Sequence, residues 1–519
     1  MRKRTAIITT ALLIVTLGAS TSLSFATVNN SYATASKYNR YYNSNKYNNS
    51  NTYSTQSNTQ TQASRAKVVK IDVSWFDYNN PKKSYTINTE AQLRGLASLV
   101  NKKQSSWKPN RYESFEGVEF KLGSDIKLEY GWTPIGHSED VCFKGTFDGD
   151  GHIISGLNVT SGNEYSGLFG YLGGTVKNLS VEGEVNSSTS CTGTIVGKMG
   201  ETSSIISCTA NATVIGKDKT GGIIGENRGG IVNGCINHGK VKGTYKVGGV
   251  VGENFGGKVT ECGNYANIVS TTRNIGIYGT GGVAGRSISA GSVVGKCFNK
   301  GDITSATEGT GGVVGYCNAQ GARVSSCYNT GNIVEHKAKY GKKNSMSYIG
   351  GVIGIVGDSA VKVLNNYNSG TGLGGNFNGG VIGYYQGTSA LNEDGNIKNN
   401  YYVNSDFKYG IGKYITGQGT NIDDVITGIS SSTLNSYTSK LSSNFMQDSS
   451  GLYGNGGAPV LRWQQPISED EKEYISGVSL KAQKRLDKYM NSHTTTLKVG
   501  QTIIDIFNTT NLLSDVFHR

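Results

Sequence analysis

Proline is nearly absent, at 5 residues in 519, and tryptophan contributes only 4. Charged residues make up 17% of the chain, too few for a disordered polyelectrolyte, and 8 cysteines are too sparse for a disulfide scaffold. Beyond the N-terminal segment no apolar run approaches the ~20 residues that a membrane-spanning helix needs. The six histidines are His137, His152, His238, His336, His493 and His518, and no two stand in a His-Glu-x-x-His phrase, so the zinc-protease motif is missing. Neither a Gly-x-Ser-x-Gly elbow at a strand-to-helix turn nor a P-loop lysine-serine phrase is present. An arginine-rich recognition helix is also missing, so no nucleic-acid partner is expected. What is abundant is glycine, 73 residues or about 14%, roughly twice the ordinary share and without a Gly-X-Y period. Tyrosine supplies 30 residues, and 50 basic against 37 acidic groups leave a formal charge of +13.

The first segment reads as an export signal. Arg2, Lys3 and Arg4 precede Ala6-Ile7-Ile8 and Ala11-Leu12-Leu13-Ile14-Val15, and Ser24-Phe25-Ala26 resembles a small-residue cleavage site. Cleavage is expected between Ala26 and Thr27. Thr9, Thr10 and Thr16 interrupt the run too often for a membrane anchor. From Thr27 to Ser64 the composition collapses to Asn, Ser, Thr, Gln and Tyr, which cannot bury enough surface to offset ordering entropy, so a disordered spacer is expected.

A repeat fills the middle of the chain. Gly-Gly-apolar-apolar-Gly occurs at Gly221–Gly225, Gly248–Gly252, Gly281–Gly285, Gly311–Gly315, Gly350–Gly354 and Gly379–Gly383, with weaker copies ending at Gly170 and Gly197. A second phrase follows ten to twelve residues later, as in Cys235-Ile236-Asn237-His238-Gly239, Cys297-Phe298-Asn299-Lys300-Gly301 and Cys327-Tyr328-Asn329-Thr330-Gly331. Near the end its cysteine becomes Asn366. Apolar stretches this short and this broken by glycine cannot form helices, and one unit cannot bury its own apolar face. Units stacked in register at ~4.8 Å solve that problem, because each valine or isoleucine then lies on its counterpart. Glycines are expected at positive-φ corners and close backbone approaches, and asparagine amides in hydrogen-bonded columns. The predicted fold is all-β: a right-handed parallel β-helix with a short N-terminal capping helix and a small helical C-terminal appendix.

The same phrases resemble the GLUG-motif proteins, over about residues 67–465. The resemblance includes the opening phrase Phe143-Lys144-Gly145-Thr146-Phe147-Asp148-Gly149-Asp150-Gly151-His152-Ile153-Ile154 and the closing phrase Gly457-Ala458-Pro459-Val460-Leu461-Arg462-Trp463. It implies a bacterial secreted or surface protein with a parallel β-helix. Similar repeats accompany the catalytic part of immunoglobulin-A-cleaving metalloproteases, but without the histidine motif that activity does not carry over.

The expected order is a leader over 1–26, a spacer over 27–66, a cap and first coils over 67–160, the repeat over 161–420, a second cap over 421–465 and a helical tail over 466–519. Thr89-Glu90-Ala91-Gln92 reads as a capping box, followed by Leu93, Leu96, Ala97 and Val100 on one helical face. The stack is expected to begin near Trp132–Gly136, and Phe445, Leu452, Tyr453 and Trp463 to plug its far end. Longer spacings imply loops near 270–279 and 335–348. In the tail, Ile475, Val478, Ala482, Leu486 and Tyr489 share a helical face.

Candidate chemistry is thin. Glu226 and Glu253 follow the closing glycine in consecutive coils, and in register they would approach the ~5 Å carboxylate spacing of retaining glycosidases. Their column reads Tyr171, Lys198, Glu226, Glu253, Arg286, Tyr316, which a surface charge ladder explains without catalysis. Asp148-Gly149-Asp150-Gly151 is read as a turn, since it lacks the later ligands of a calcium loop. Cys208, Cys235, Cys262, Cys297 and Cys327 are read as a column of buried free thiols, their parallel Cβ vectors being unsuited to bridges. No catalytic, metal or cofactor residue is assigned. The expected partners are a cell-wall polymer, a carbohydrate or a host surface protein, the basic excess at Lys82, Lys83, Lys102, Lys103 and residues 337–343 favouring anionic polymers. The rival expectation is a polysaccharide lyase or hydrolase, recognisable by a long groove lined with carboxylates, arginines and aromatics.

Overall fold

The computed structural model describes residues 69–101, 113–160, 164–271, 278–335, 346–387, 395–403, 406–421, 425–448, 453, 455 and 457–464, all within the compact unit Lys67–Arg519. The Ala26/Thr27 junction, the spacer, most of the two expected loops, Leu452 and the helical tail lie outside the described residues.

One coil shows the plan. Asp218–Gly221 runs into a bend at Gly222-Ile223, then come Ile224–Arg228, a Gly229-Gly230 turn, Ile231–Asn233, a corner at Gly234-Cys235, and the short strands Ile236–Asn237 and Val241–Gly243. Tyr245–Gly248 opens the next coil directly on top of Asp218–Gly221. Repetition gives three parallel sheets of 11, 16 and 16 strands, the architecture of a parallel β-solenoid. The 11-stranded sheet runs from Ser84–Ile87 to Ile397–Lys398 and is about 48 Å from edge to edge at ~4.8 Å per step. The stack therefore begins before Trp132. Ser84–Ile87, Glu119–Leu122 and Thr146–Asp148 form its first rungs without any Gly-Gly phrase, and the Trp132 indole instead donates to the Leu168 carbonyl at 2.9 Å.

Like residues stack on like residues. Ile223, Val250, Val283, Val313, Val352 and Val381 are fully buried, as are Val232, Val259, Val294, Val324 and Val363 one face away. Each such side chain contributes about 1.5–3 kcal/mol on leaving water, which one coil alone could not realise.

Glycine does both jobs expected of it, at different places. A left-handed corner recurs at Gly229, Gly256, Gly291 and Gly321 (φ 78, 73, 79 and 77), whereas the glycines of the six Gly-Gly-apolar-apolar-Gly phrases have no positive φ. They are glycine because coils touch there: a Cβ on Gly222 would strike the Asn237 side chain and the Gly249 carbonyl, and one on Gly282 would strike Asn299 and the Gly312 carbonyl. A second left-handed corner lies before the cysteine position, and mostly non-glycine residues occupy it: Ser207 (φ 52), Glu261 (φ 54), Lys296 (φ 53), Ser326 (φ 54) and Asn365 (φ 58), with Gly234 (φ 66) in the same column.

A helix, α1 (Glu90–Asn101), covers the first coils with Leu93, Leu96, Ala97, Leu99 and Val100 buried. Thr89 Oγ1 accepts the Gln92 amide at 3.3 Å, while the Gln92 side chain reaches past Thr89 to the Asn88 N–H at 2.8 Å, a capping box shifted by one residue. At the other end the hairpin Tyr409–Tyr414/Gly417–Thr420 and Ile426–Ile429 complete the sheets. The described residues 430–448, 453, 455 and 457–464 then lie along the flank. Tyr437 packs on Tyr401, Phe445 on Tyr367 and Tyr328, and Trp463 on Phe298, whose rings form one outward column. Phe445 is buried as expected, but Tyr453 and Trp463 are half-buried, and the segment seals a side of the rod where an end plug was expected.

Candidate functional site

The register brings Glu226 and Glu253 face to face, in the column Tyr171, Lys198, Glu226, Glu253, Arg286, Tyr316. The ladder is not on the surface. Glu226 is 1% exposed and Glu253 4%. Each Gly-Gly bend folds its sheet so sharply that residues before the bend reach residues after it. Lys219 Nζ lies 3.0 Å from Glu226 and 3.4 Å from Glu253, and Arg228 Nε and Lys198 Nζ lie 2.9 and 3.8 Å from Glu226. Arg286 Nη1 donates to Glu253 at 3.1 Å, and Lys246 Nζ sits 3.2 Å from Asp218 and 3.8 Å from Glu253. Aromatic rings close the row at both ends: Lys198 lies over Tyr165 and Tyr171, and Arg286 over Tyr316.

Electrostatics follow from that enclosure. Burial alone would raise the Glu226 carboxyl, but Lys219, with Lys198 and Arg228, outweighs it and holds the group below its ordinary 4.5. Burial and the neighbouring Glu226 push the Cys191 thiol well up, and that thiol donates to Glu226 Oε2 at 3.3 Å. An acid catalyst needs a carboxyl held protonated. Glu226 is held ionised, and its oxygens are occupied.

Sequence reasoning found the glutamate column but missed Lys219, Lys246, Asp218 and Cys191. A signal was there: Lys219 precedes Glu226, and Lys246 precedes Glu253, by seven residues in each case. In Asp148–Gly151 the turn reading matches the geometry. Asp148 accepts the Asp150 amide at 2.9 Å and pairs with Lys177 at 3.0 Å, while Asp150 pairs with Lys121 at 2.9 Å. Among the described residues no group of three or more His, Cys, Asp or Glu side chains converges as a metal site would require. The five repeat cysteines are buried and unbridged, each thiol donating to the carbonyl two residues before it, as Cys262 does to Thr260 at 3.1 Å.

An open concavity occurs among the described residues. A cleft of about 650 Å³ lies beside the N-terminal end of the charged row, lined by Glu116, Glu139, Glu201, Lys144, Arg228 and Tyr171 with several glycines and threonines. Tyr171 is 5% exposed, and burial raises its phenol to about 12, so its O–H stays protonated and available as a donor. The three glutamates come from separate turns with no shared phrase, so the sequence pattern could not assemble them.

No protein-family model matches the chain. It is similar to halomucin of Haloquadratum walsbyi (strain DSM 16790 / HBSQ001), at 41% identity over 99 residues, which is 18% of this chain but only 1% of halomucin. Among solved structures it is similar to an immunoglobulin A1 protease candidate from Bacteroides ovatus, with a TM-score of 0.38 and 19% identity, covering 74% of this chain and 93% of that one.

Proposed function

We propose that the chain is a secreted, surface-associated β-helix that acts without catalysis, adhering to a carbohydrate, cell-wall polymer or host surface. The export reading rests on Arg2–Arg4, the apolar stretch after it and the Ala26/Thr27 junction. In this reading the spacer 27–66 tethers the rod.

One observation carries the binding reading: the 650 Å³ cleft is open and offers both kinds of polar partner. Carboxylates of Glu116, Glu139 and Glu201 accept hydroxyl protons, while Lys144, Arg228 and Tyr171 donate. A polyhydroxylated ligand needs that mixture. The second reading, a polysaccharide lyase or hydrolase, is favoured by the same three glutamates. A glycan array scored for both retention and cleavage separates the two. Retention lost in Arg228→Ala and Glu201→Ala, with glycan chain length unchanged, is the result expected. Shortened glycans establish the enzyme, and neither retention nor cleavage across the array removes the cleft as the adhesive site.

A further inference from the structure

The charged row contains one pair that differs chemically from the rest. Asp218 and Lys246 stand on consecutive coils at the same sheet, with Lys246 Nζ 3.2 Å from Asp218 Oδ2. The side chain of Lys246 is 11% exposed, that of Asp218 25% and that of Glu253 6%. The second Asp218 oxygen, Oδ1, is buried and has no hydrogen-bond partner. Glu253, fixed from the far side by Arg286 at 3.1 Å, places Oε1 3.8 Å from the same Lys246 nitrogen. Lys246 is held there by a backbone with φ 48, a left-handed conformation that a lysine adopts only under constraint. A nucleophile, a carboxyl carbon and a second carboxylate able to carry protons are thus fixed within one crease, largely shielded from water.

From this juxtaposition we propose that Lys246 and Asp218 form an intramolecular amide bond, a covalent staple between adjacent coils promoted by Glu253. The ammonium of Lys246 gives one proton to Asp218, converting the ion pair into a neutral amine and a carboxylic acid. The amine lone pair attacks Asp218 Cγ, forming the C–N bond. Glu253 takes a second proton from that nitrogen and delivers it to the Asp218 hydroxyl, which leaves as water as the C–O bond breaks. One amide and one water replace one ammonium and one carboxylate, with no oxidant, reductant or cofactor. Held neighbours of this kind reach effective molarities of about 10⁵ M or more, enough to drive a condensation that free amines and acids do not undergo in water.

Geometry selects this pair over the other close one. Lys219 also lies 3.0 Å from a carboxylate, that of Glu226, but Glu226 is clamped as an anion by Lys219, Lys198 and Arg228 and receives the Cys191 thiol. An anion so held is a poor acyl acceptor. Of the basic side chains, Asp218 pairs with Lys246 alone among the described residues.

The test is a peptide map of the purified, folded full chain. The expected result is a branched peptide joining the Asp218 and Lys246 segments, lighter than their sum by one water, with no free Lys246 peptide. Asp218→Asn keeps the shape and should give the same branched peptide by loss of ammonia. Glu253→Gln should leave both segments separate in protein whose circular dichroism matches the parent. Recovery of unmodified Asp218 and Lys246 peptides from folded parent protein overturns the proposal, as does a branched peptide that forms undiminished in Glu253→Gln. Neither result bears on glycan retention at the cleft, so the two readings fail separately.

Discussion

Asn299 tests the stacking directly. Its side chain is fully buried at the centre of an amide column running through Asn237, Asn264, Asn299, Asn329 and Asn368. Its Nδ2 donates to the Gly301 carbonyl and to Asn329 Oδ1, both at 2.8 Å, and its Oδ1 accepts Asn264 Nδ2 at 2.8 Å. Asn299→Ala removes all three bonds and strands a buried group at each of the three partners. At about 1–3 kcal/mol per stranded group, and allowing for partial relaxation, the loss is about 4–6 kcal/mol. Asn237, with Ala210 as its neighbour in the preceding coil, also makes three bonds, its Oδ1 accepting the Gly239 amide at 3.1 Å, so Asn237→Ala should cost about as much. Because coils contact only their neighbours, the damage should stay local. Urea unfolding measures the total, and hydrogen exchange should show lost protection around 264 and 329 with none around 205. A loss under about 1 kcal/mol for Asn299→Ala would refute the claim that the amides act as a continuous column.

Three further outcomes follow from the same geometry. Gly282→Ala should destabilise by about 3 kcal/mol although its φ suits any residue, because the added methyl meets Asn299 and the Gly312 carbonyl; urea midpoints check this. Glu226→Ala should cost about 3 kcal/mol near neutral pH by uncompensating buried cations. The folded Glu226 carboxyl lies below 4.5, so its contribution is complete above that value and disappears as pH falls through the lower folded one; the parent–variant gap in urea midpoint should narrow only below pH 4.5. Lys300 is pulled down to about 8 by burial, with its Nζ donating to the Tyr453 carbonyl at 2.6 Å. At Lys300 the unfolded chain therefore binds the extra proton from about pH 8 upward, a contribution that rises with pH and runs against buried thiols and phenols such as Cys142, Cys191, Tyr328 and Tyr367, which are held above their ordinary values and lose stability as pH rises. Lys300→Met removes that opposing rise, so the change in urea midpoint from pH 7 to 9.5 should be more negative in the variant than in the parent.

Columns were legible because parallel stacking converts sequence period into spatial register. Ile223, Val250 and Val283 recur at one place in each phrase, and nothing but stacking would bury all of them. The same logic placed Glu226 beside Glu253. What period cannot show is how one coil bends in cross-section. The fold at Gly222-Ile223 carries Lys219 back onto Glu226, turning an expected surface ladder into a buried one. The left-handed corner before the cysteine position is hidden for a related reason. Gly222 looks like a turn residue in sequence, but a contact between coils excludes its Cβ, whereas Lys296 and Ser326 take the strained corner with no compositional mark. The cleft residues Glu116, Glu139 and Glu201 belong to turns that do not repeat, and only the fold gathers them.

An in-register stack of Phe298, Tyr328, Tyr367 and Tyr401 would present a ladder of apolar rings to water, a surface on which a second chain could dock. Tyr437, Phe445, Pro459, Trp463 and Gln464 cover it. Tyr328 OH donates to Gln464 Oε1 at 3.0 Å, Tyr367 OH bonds the Pro459 carbonyl, and the Trp463 indole donates to the Lys296 carbonyl at 2.8 Å. Earlier coils place Thr209, Ile236 and Gly263 in this column, and the cover is needed only where the rings begin. The change from glycine at 263 to aromatic residues from 298 onward therefore sets how far back the closing segment must reach. This strap lies along the coils whose outward column is most apolar.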